Sequence, residues 1–370
     1  MGPVKRTPIL ALIIGAILSL FFGYIVLELV TEGIVFFWET VPENLGGTPY
    51  WYVMSLLLIA AVLVFVIRRH VGDAGHSPIG GIKISALTPK EYVGAILAIV
   101  ASLLGGAVLG PEVALVSTGA VIGGLVARVF KVTDAKKVVG VSALGAILAL
   151  FVNPLISGSL SLDGAPASIE VDQLLWAVPV ALVATFMAAL ARYGAAVITK
   201  KTGKGPHLPA LIVAALVIGC AAIAMNFWAD LPLAYIATSS EEVLTELPTL
   251  TSISVVLGIV VFKTIAYSVS MGAGFRGGPF FPVMFIGAAT GLLFALVLPS
   301  GPAVQAALAI GVIASVIATA PMKWPIAIVL GAVLGYFMGG WALVPAAIIG
   351  AVVARAVPRW GDRVEIDQHV

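Results

Sequence analysis

Glu112 occupies the position in this sequence that is best suited to ion chemistry. It follows Gly110-Pro111 and opens the apolar segment VALVSTGAVIGG, and a matching start, Gly278-Pro279, lies 168 residues further on without a charge. Glycine and proline end one segment and favour the start of a helix. Because the first N–H groups of a helix are unpaired and partly positive, such starts converging inside a membrane would bind an anion. A carboxylate at a helix start would occupy the same place until a proton or another anion displaced it.

The two helix starts belong to an internal repeat. Glycines recur at equal distances after them, at Gly119 and Gly123 in the first copy and at Gly287 and Gly291 in the second. Paired apolar segments that Gly and Pro interrupt at matching positions indicate a binding site near the middle of a membrane. We therefore predict two related halves, and the topology allows them to be inverted. The predicted bounds are 1–370 for a single membrane domain, 8–199 for the first half, 208–357 for the second half and 358–370 for a short C-terminal tail.

Composition places most of the chain in lipid. Hydrophobic residues make up 61% of the 370 residues, charged residues make up 10%, and the mean hydropathy is +1.13. A water-soluble domain cannot bury so much apolar surface, so we predict an all-α polytopic membrane protein that contacts membrane lipid. The formal net charge of only +2 argues against a nucleic-acid-binding protein. A single cysteine excludes an intrachain disulfide and a cysteine-based metal site, and we expect neither enzymatic activity nor a metal.

Apolar runs and the charges between them predict the topology. Several runs, including 324–339, are shorter than the roughly 20 residues that a full crossing needs, which indicates broken or partial helices. Basic clusters alternate with acidic ones, and the positive-inside rule places the basic clusters and both termini in the cytoplasm. The run from Lys90 to Arg128 begins and ends on that side. We therefore predict a re-entrant pair that turns at Gly110-Pro111.

Four stretches, in order along the chain, resemble the CLC family of chloride channels and chloride/proton antiporters. The most specific is VFKTIAYSVSMGAGFRGGPFFPVMFIGAATG at 261–291, where a helix led by lysine precedes a Gly-Gly-x-Phe-x-Pro helix start. The stretch GGAVLGPEVALVSTGAVIGG at 105–124 aligns Glu112 with the gating glutamate of the family. Asp73–Ser77 aligns Ser77 with its central serine, and Phe151–Leu155 is similar to its Phe-Asn-x-Pro-Leu.

The resemblance implies a divergent prokaryotic-type member with a CLC-like fold and without regulatory soluble domains. It implies a homodimer in the cell membrane, with one pore per subunit for chloride or a similar small inorganic anion, and a bound chloride ion in place of a cofactor. Glu112 is then the expected gate. The residues expected to bind the anion are Ser77, Gly110, Pro111, Gly278, Phe280 and Phe281.

Four further polar residues could act on the anion or on protons. Arg276 could raise the local anion concentration or contact lipid headgroups, and Lys263 could act electrostatically or be a structural or snorkelling lysine. His76 could titrate near neutral pH or be a solvated loop residue. Asp163 lies beside Gly164, where proton-coupled members of the family have an internal glutamate.

Glu112 and Ser77 also have structural alternatives. Glu112 could cap its helix at the membrane surface, and Ser77 could be a turn residue before Pro78. A charge near the centre of the bilayer costs about 2.5–3.5 kcal/mol on insertion scales and usually marks function. This cost favours the gating role for Glu112.

Departures from the family pattern bear on the mode of transport. Pro111 replaces the arginine of the family, and Pro279 has no N–H to offer, so Phe280 N–H is the expected anion contact. Gly164 at the internal position, and the absence of tyrosine after the last apolar run, favour a passive channel. The alternatives are a proton-coupled chloride or fluoride antiporter and, from another class, a non-transporting scaffold or sensor. Small, glycine-lined helix starts argue against a carrier for a larger solute.

Overall fold

The computed structural model describes residues 9–72, 87–152, 171–203, 205–239, 244, 246–298, 301–320 and 322–357. Ser77, His76 and Asp163 lie outside the described residues, so their roles stay predictions.

Helices make up all the long elements of the described chain, as predicted for an all-α membrane protein. In chain order they are α1 (Ile9–Val35), α2 (Tyr50–His70), α3 (Pro89–Leu104), α4 (Glu112–Val129), α5 (Lys136–Ile147), α6 (Val171–Thr202), α7 (Leu208–Ala229), α8 (Ile253–Ala273), α9 (Phe280–Val297), α10 (Val304–Thr319) and α11 (Trp324–Ala356). Phe36–Thr40 and Val41–Asn44 extend α1, and the one-turn helix Ala234–Ala237 follows α7. Within these ranges, eight helical stretches are long and apolar enough to cross a membrane.

Helix α3 begins at a capping box and ends before the predicted turn. The Glu91 N–H donates to the Thr88 hydroxyl (3.3 Å), and the Glu91 carboxylate accepts from the Thr88 N–H (2.8 Å). The helix is about 24 Å long, less than the roughly 30 Å of a hydrocarbon core. The chain turns back through Gly105–Pro111, and α4 packs against α3. The turn predicted at Gly110-Pro111 is therefore confirmed.

Glycines of the repeat hold equivalent helix pairs together. In each half, two glycines of one helix lie so close to the next helix that an added Cβ would overlap its backbone. The contacting pairs are Gly119–Ala143 and Gly123–Val139 between α4 and α5, and Gly287–Gly311 and Gly291–Ala307 between α9 and α10. Partners in the two halves differ by the same 168 residues as the helix starts. Small residues let these helices approach closely, as in many membrane proteins.

Long helices connect these pairs to the rest of the molecule. Helix α6 packs against α8, α9, α10 and α11, while α1 packs against α4 and α5. Helix α11 is broken at Gly339–Gly340, and Gly340 has a φ of +65°, a conformation that favours glycine. This break separates the predicted runs 324–339 and 341–357. The fold therefore contains the broken and re-entrant helices expected from the sequence.

Candidate anion site

The two glycine-proline helix starts meet in the structure. Gly110 N–H donates to the Gly278 carbonyl (2.8 Å), and Gly278 N–H donates to the Gly110 carbonyl (2.5 Å), as an antiparallel pair. Equivalent residues that exchange hydrogen bonds in this way are related by a local twofold axis. Helices α4 and α9 therefore begin side by side.

Two buried serines extend this symmetry to the turns before α4 and α9. Val108 N–H donates to Ser270 Oγ (3.0 Å), and Arg276 N–H donates to Ser102 Oγ (2.9 Å). The two serines are 168 residues apart, and so are the two donors. The hydroxyls thus pair backbone N–H groups inside the protein, where an unpaired N–H is costly. Neither serine was predicted, although their spacing matches that of the repeat.

Gly106 and Gly274 occupy equivalent positions in the two turns. Their φ angles are +90° and +100°, which favour glycine. A Cβ on Gly106 would also overlap the ring of Trp38, and one on Gly274 would overlap the guanidinium group of Arg68. The Arg68 guanidinium group donates to the Gly274 carbonyl (2.9 Å). Both turns therefore take the same shape, and each is packed closely by a large side chain.

Glu112 breaks the symmetry of the two helix starts. It is the first residue of α4 and is only 2% exposed, and its Oε1 accepts from Phe281 N–H (2.7 Å) in the first turn of α9. The backbone N–H groups of Phe280 and of Glu112 itself also face the carboxylate. Its Oε2 has no hydrogen-bond partner in the described part of the chain. The carboxylate of one helix thus occupies the positive end of the other.

Glycine at both starts makes room for this carboxylate. A Cβ built on Gly110 would overlap both oxygens of Glu112, and a Cβ on Gly278 would overlap Oε2. The two glycines therefore line the space that the carboxylate occupies, in addition to preceding the two helices.

Tyr267 is a buried residue beside the site that the sequence reasoning missed. Its hydroxyl donates to the Pro279 carbonyl (3.1 Å), immediately before the first N–H groups of α9. The hydroxyl also lies within electrostatic range of Glu112 and of the buried Arg192. The available signal was its place in the 261–291 stretch, one helical turn after Lys263. Tyr267 anchors the start of α9 against α8.

Lys263 is fully buried on α8 and is enclosed by protein, unlike a snorkelling lysine. Its ammonium group donates to the backbone carbonyls of Tyr235 (2.7 Å) and Thr238, at the end of the one-turn helix. The nitrogen lies 4.7 Å from the ring centre of Phe285 on α9. The structure therefore places Lys263 near the site without a hydrogen bond to Glu112.

The remaining predicted residues divide into two groups. Arg276 contributes its backbone N–H to the frame of the site, and its side chain is partly buried. Ser77, His76 and Asp163 are among the residues that the structure does not describe. Within the described ranges, no group of three or more His, Cys, Asp or Glu side chains is placed to hold a metal ion. The described site consists of the Glu112 carboxylate and the N–H groups that face it.

Fold and site together define a class: an α-helical membrane protein in which two helices that follow glycine-proline turns start beside one buried glutamate. The family model for voltage-gated chloride channels matches residues 135–359, more than half of the chain. The chain belongs to this family, the CLC family. The family predicted from the sequence motifs is confirmed.

Sequence relatives agree with a role in ion transport. A protein named "Putative ion-transport protein YfeO" from Escherichia coli O17:K52:H18 is 26% identical over 308 residues, which cover 72% of this chain and 73% of that protein. A protein of the same name from Salmonella choleraesuis is 37% identical over 81 residues, 21% of this chain. That match spans 20% of the Salmonella protein.

Solved structures show the same fold. A slow cyanobacterial Cl⁻/H⁺ antiporter is similar at a TM-score of 0.74 and 16% identity, with 98% of both chains covered. A CLC-type fluoride/proton antiporter is similar at a TM-score of 0.65 and 14% identity, with 96% of this chain and 97% of that chain covered. The predicted CLC-like fold is therefore confirmed.

Proposed function

We propose that the protein is a channel for chloride or a similar small inorganic anion, with Glu112 as its gate. The hydrogen bond from Phe281 N–H to the Glu112 carboxylate carries this proposal. A helix start is suited to an anion, and here it holds one that is tethered to the chain. A permeating anion that binds the same N–H group must first displace the carboxylate.

Opening of the gate is then a competition between anions. The carboxylate is held through Oε1, while Oε2 has no partner among the described residues. A hydrogen bond to a charged group contributes about 1.5–3 kcal/mol, so an incoming anion or a proton on the carboxylate can release the side chain. Release frees the N–H groups of Phe281 and Phe280 for the permeating anion. The Ser77 hydroxyl and the backbone of the two glycine-proline starts complete the proposed site.

Proton-coupled antiport of chloride or fluoride is the second candidate. Both structural relatives described above are named as proton antiporters, and a gating carboxylate can carry a proton when it leaves the helix start. Against this reading, Gly164 stands where the proton-coupled members of the family have an internal glutamate, and Asp163 is the neighbouring acid. We therefore prefer the channel.

One experiment separates these functions. Purified protein in proteoliposomes is loaded with chloride, and efflux is followed with chloride and pH electrodes at once. Chloride efflux without proton movement is the expected result. Proton uptake in fixed ratio to chloride or fluoride would replace the channel by the antiporter. No flux of chloride, nitrate or fluoride would support a scaffold or sensor instead.

Assembly and orientation complete the proposal. We expect a homodimer with one pore per subunit, located in the cell membrane with both termini in the cytoplasm. Light scattering of the purified protein, corrected for detergent, measures the mass of the assembly. A monomer at working concentration would contradict the expected dimer.

A further inference from the structure

Lys263 is a buried basic residue that the gating cycle above does not use. It lies on α8 with no exposed surface, and a charge in a membrane protein interior is costly and usually functional. Each of its hydrogen-bond acceptors in the described chain is an uncharged carbonyl, that of Tyr235 or Thr238. The lysine therefore brings positive charge into the protein without a carboxylate bonded to it there.

The contacts of the nitrogen suit the charged form of the side chain. An ammonium group has three N–H donors, whereas a neutral amine has two and a lone pair. The Lys263 nitrogen donates to two carbonyls, and it also lies over the ring of Phe285, 4.7 Å from the ring centre. The face of an aromatic ring attracts a cation and repels a lone pair. These are the contacts that an ammonium group would make.

Helical spacing places this charge one turn behind the anion site. Lys263 precedes Tyr267 by four residues on α8, and Phe285 follows Phe281 by four residues on α9, so each pair shares one helix face about 6 Å apart. Tyr267 anchors the first turn of α9, and Phe281 N–H binds the Glu112 carboxylate. The Lys263 nitrogen, which packs on Phe285, is therefore placed about one helical turn beyond the residue that binds the carboxylate.

We propose that Lys263 is a positioning charge for the anion site. Its ammonium group stabilises any anion at the start of α9, either the Glu112 carboxylate or the permeating ion, without contacting it. For a separation of about 10 Å and an effective dielectric constant of about 20, such a Coulomb attraction would correspond to roughly a tenfold change in affinity. The inference rests on the proposed function, because it assigns the charge to the same site.

Three substitutions separate charge from hydrogen bonding. Lys263→Gln removes the charge and keeps an NH₂ donor for the carbonyls, Lys263→Arg keeps both, and Lys263→Met removes both. Arg355→Gln is the matched control, because Arg355 on α11 also donates to a backbone carbonyl, that of Met322 (2.7 Å). All variants are made in the full chain.

The readout is the chloride dissociation constant from calorimetry of the purified protein in the Glu112→Ala background. There the anion has no tethered competitor, and we expect Lys263→Gln to weaken chloride binding about tenfold. Lys263→Arg should bind as well as the parent, and Arg355→Gln should not change binding. With Glu112 present, Lys263→Gln should weaken chloride binding by a smaller factor. The reason is that the carboxylate, which competes with chloride, loses the same attraction to Lys263.

Equal chloride affinity of Lys263→Gln and its parent, with an unchanged melting temperature, would overturn the inference. An equal loss of affinity in Lys263→Arg would overturn it too, because that variant keeps the charge. A lower melting temperature of Lys263→Met than of Lys263→Gln reports the hydrogen bonds separately. If the Glu112→Ala protein with Lys263 intact binds no chloride and transports none, the proposed function itself fails, and the inference falls with it.

Discussion

At the scale of single residues, Glu112 joins two helices that are far apart in the chain. It starts α4, yet its carboxylate binds the first turn of α9 through Phe281 N–H. Glycine at 110 and 278 leaves space for the carboxylate, since a Cβ at either position would overlap it. A few atoms at this point therefore hold the carboxylate of one half against the helix start of the other.

Replacing Glu112 by Gln should raise chloride efflux from proteoliposomes. The substitution removes the charge-assisted hydrogen bond, and a loss of about 1.5 kcal/mol from a barrier set by gate release gives roughly a tenfold faster rate. Gly124→Ala on the same helix is the control, because its Cβ meets no atom within 4 Å. An unchanged rate and pH dependence in Glu112→Gln would remove Glu112 as the gate.

Gly278→Ala should displace the Glu112 carboxylate from the start of α9. The added methyl group would overlap Glu112 Oε2, so the side chain must leave its seat. Any chloride efflux that Gly278→Ala retains should therefore no longer depend on the carboxylate, and adding Glu112→Ala should not change it. Effects of the two substitutions that simply add would show that Gly278 acts independently of the carboxylate.

At the scale of elements, close helix contacts between small residues position the site. Helix α9 is held against α10 by the same glycine spacing that holds α4 against α5. The turns before α4 and α9 are cross-linked by Ser102 and Ser270. Each helix start is thus oriented by a helix of its own half and by a hydroxyl from the other half.

Gly291→Ala should destabilise the protein by about 1–3 kcal/mol, the usual cost of overpacking. Its Cβ would overlap the Ala307 carbonyl of α10. Gly140→Ala in α5 is the matched control, because nothing lies within 4 Å of its Cβ; alanine is about 0.8–1 kcal/mol better than glycine in a helix. The melting temperature in detergent should fall for Gly291→Ala, and it should stay the same or rise for Gly140→Ala. Equal shifts would show that glycine packing does not hold α9 against α10.

Ser102→Ala and Ser270→Ala should cost similar stability, about 1–3 kcal/mol each. Each substitution leaves one buried backbone N–H without its acceptor. Thermal unfolding of the two single variants and of the double variant measures these costs. A large cost for one serine and none for the other would contradict an equivalent role in the two turns.

At the scale of the whole molecule, the repeat builds a nearly symmetric frame around an asymmetric site. Gly110 pairs with Gly278, and the serines and the glycines of positive φ obey the same 168-residue offset. The site differs between halves because Glu112 has Phe280 as its counterpart. The frame places both helix starts together, while one carboxylate lies between them.

Orientation in the membrane is testable at the end of α6. Lys201 is exposed there, and the positive-inside rule places it in the cytoplasm. In a Cys220→Ala background, Lys201→Cys should react with a membrane-impermeant thiol reagent in inside-out vesicles and stay unlabelled in intact cells. Labelling only in intact cells would reverse the proposed orientation.

Local properties of the sequence were enough to predict the helical membrane class, the re-entrant turn and the position of Glu112. Three features of the sequence support these predictions: the length of the apolar runs, the placement of Gly and Pro, and the equal spacing of glycines. Each is a pattern in the order of the residues, so it can be recognised without knowing which residues meet in space. Phe280 and Phe281 were both expected among the residues of the anion site. In the structure Phe281 N–H donates to the Glu112 carboxylate and Phe280 N–H faces it, and the contact of Phe280 N–H with an anion stays a prediction.

What the sequence by itself determined is therefore the set of elements and the two helix starts that define the site. Only the tertiary structure decided which atoms meet there: the exchange between Gly110 and Gly278, the tyrosine that anchors Pro279, and the burial of Lys263 against Phe285. The physical reason is that most of these partners belong to different helices, some in different halves of the chain. Their contacts depend on how packed helices cross, and no local pattern of residues specifies that geometry.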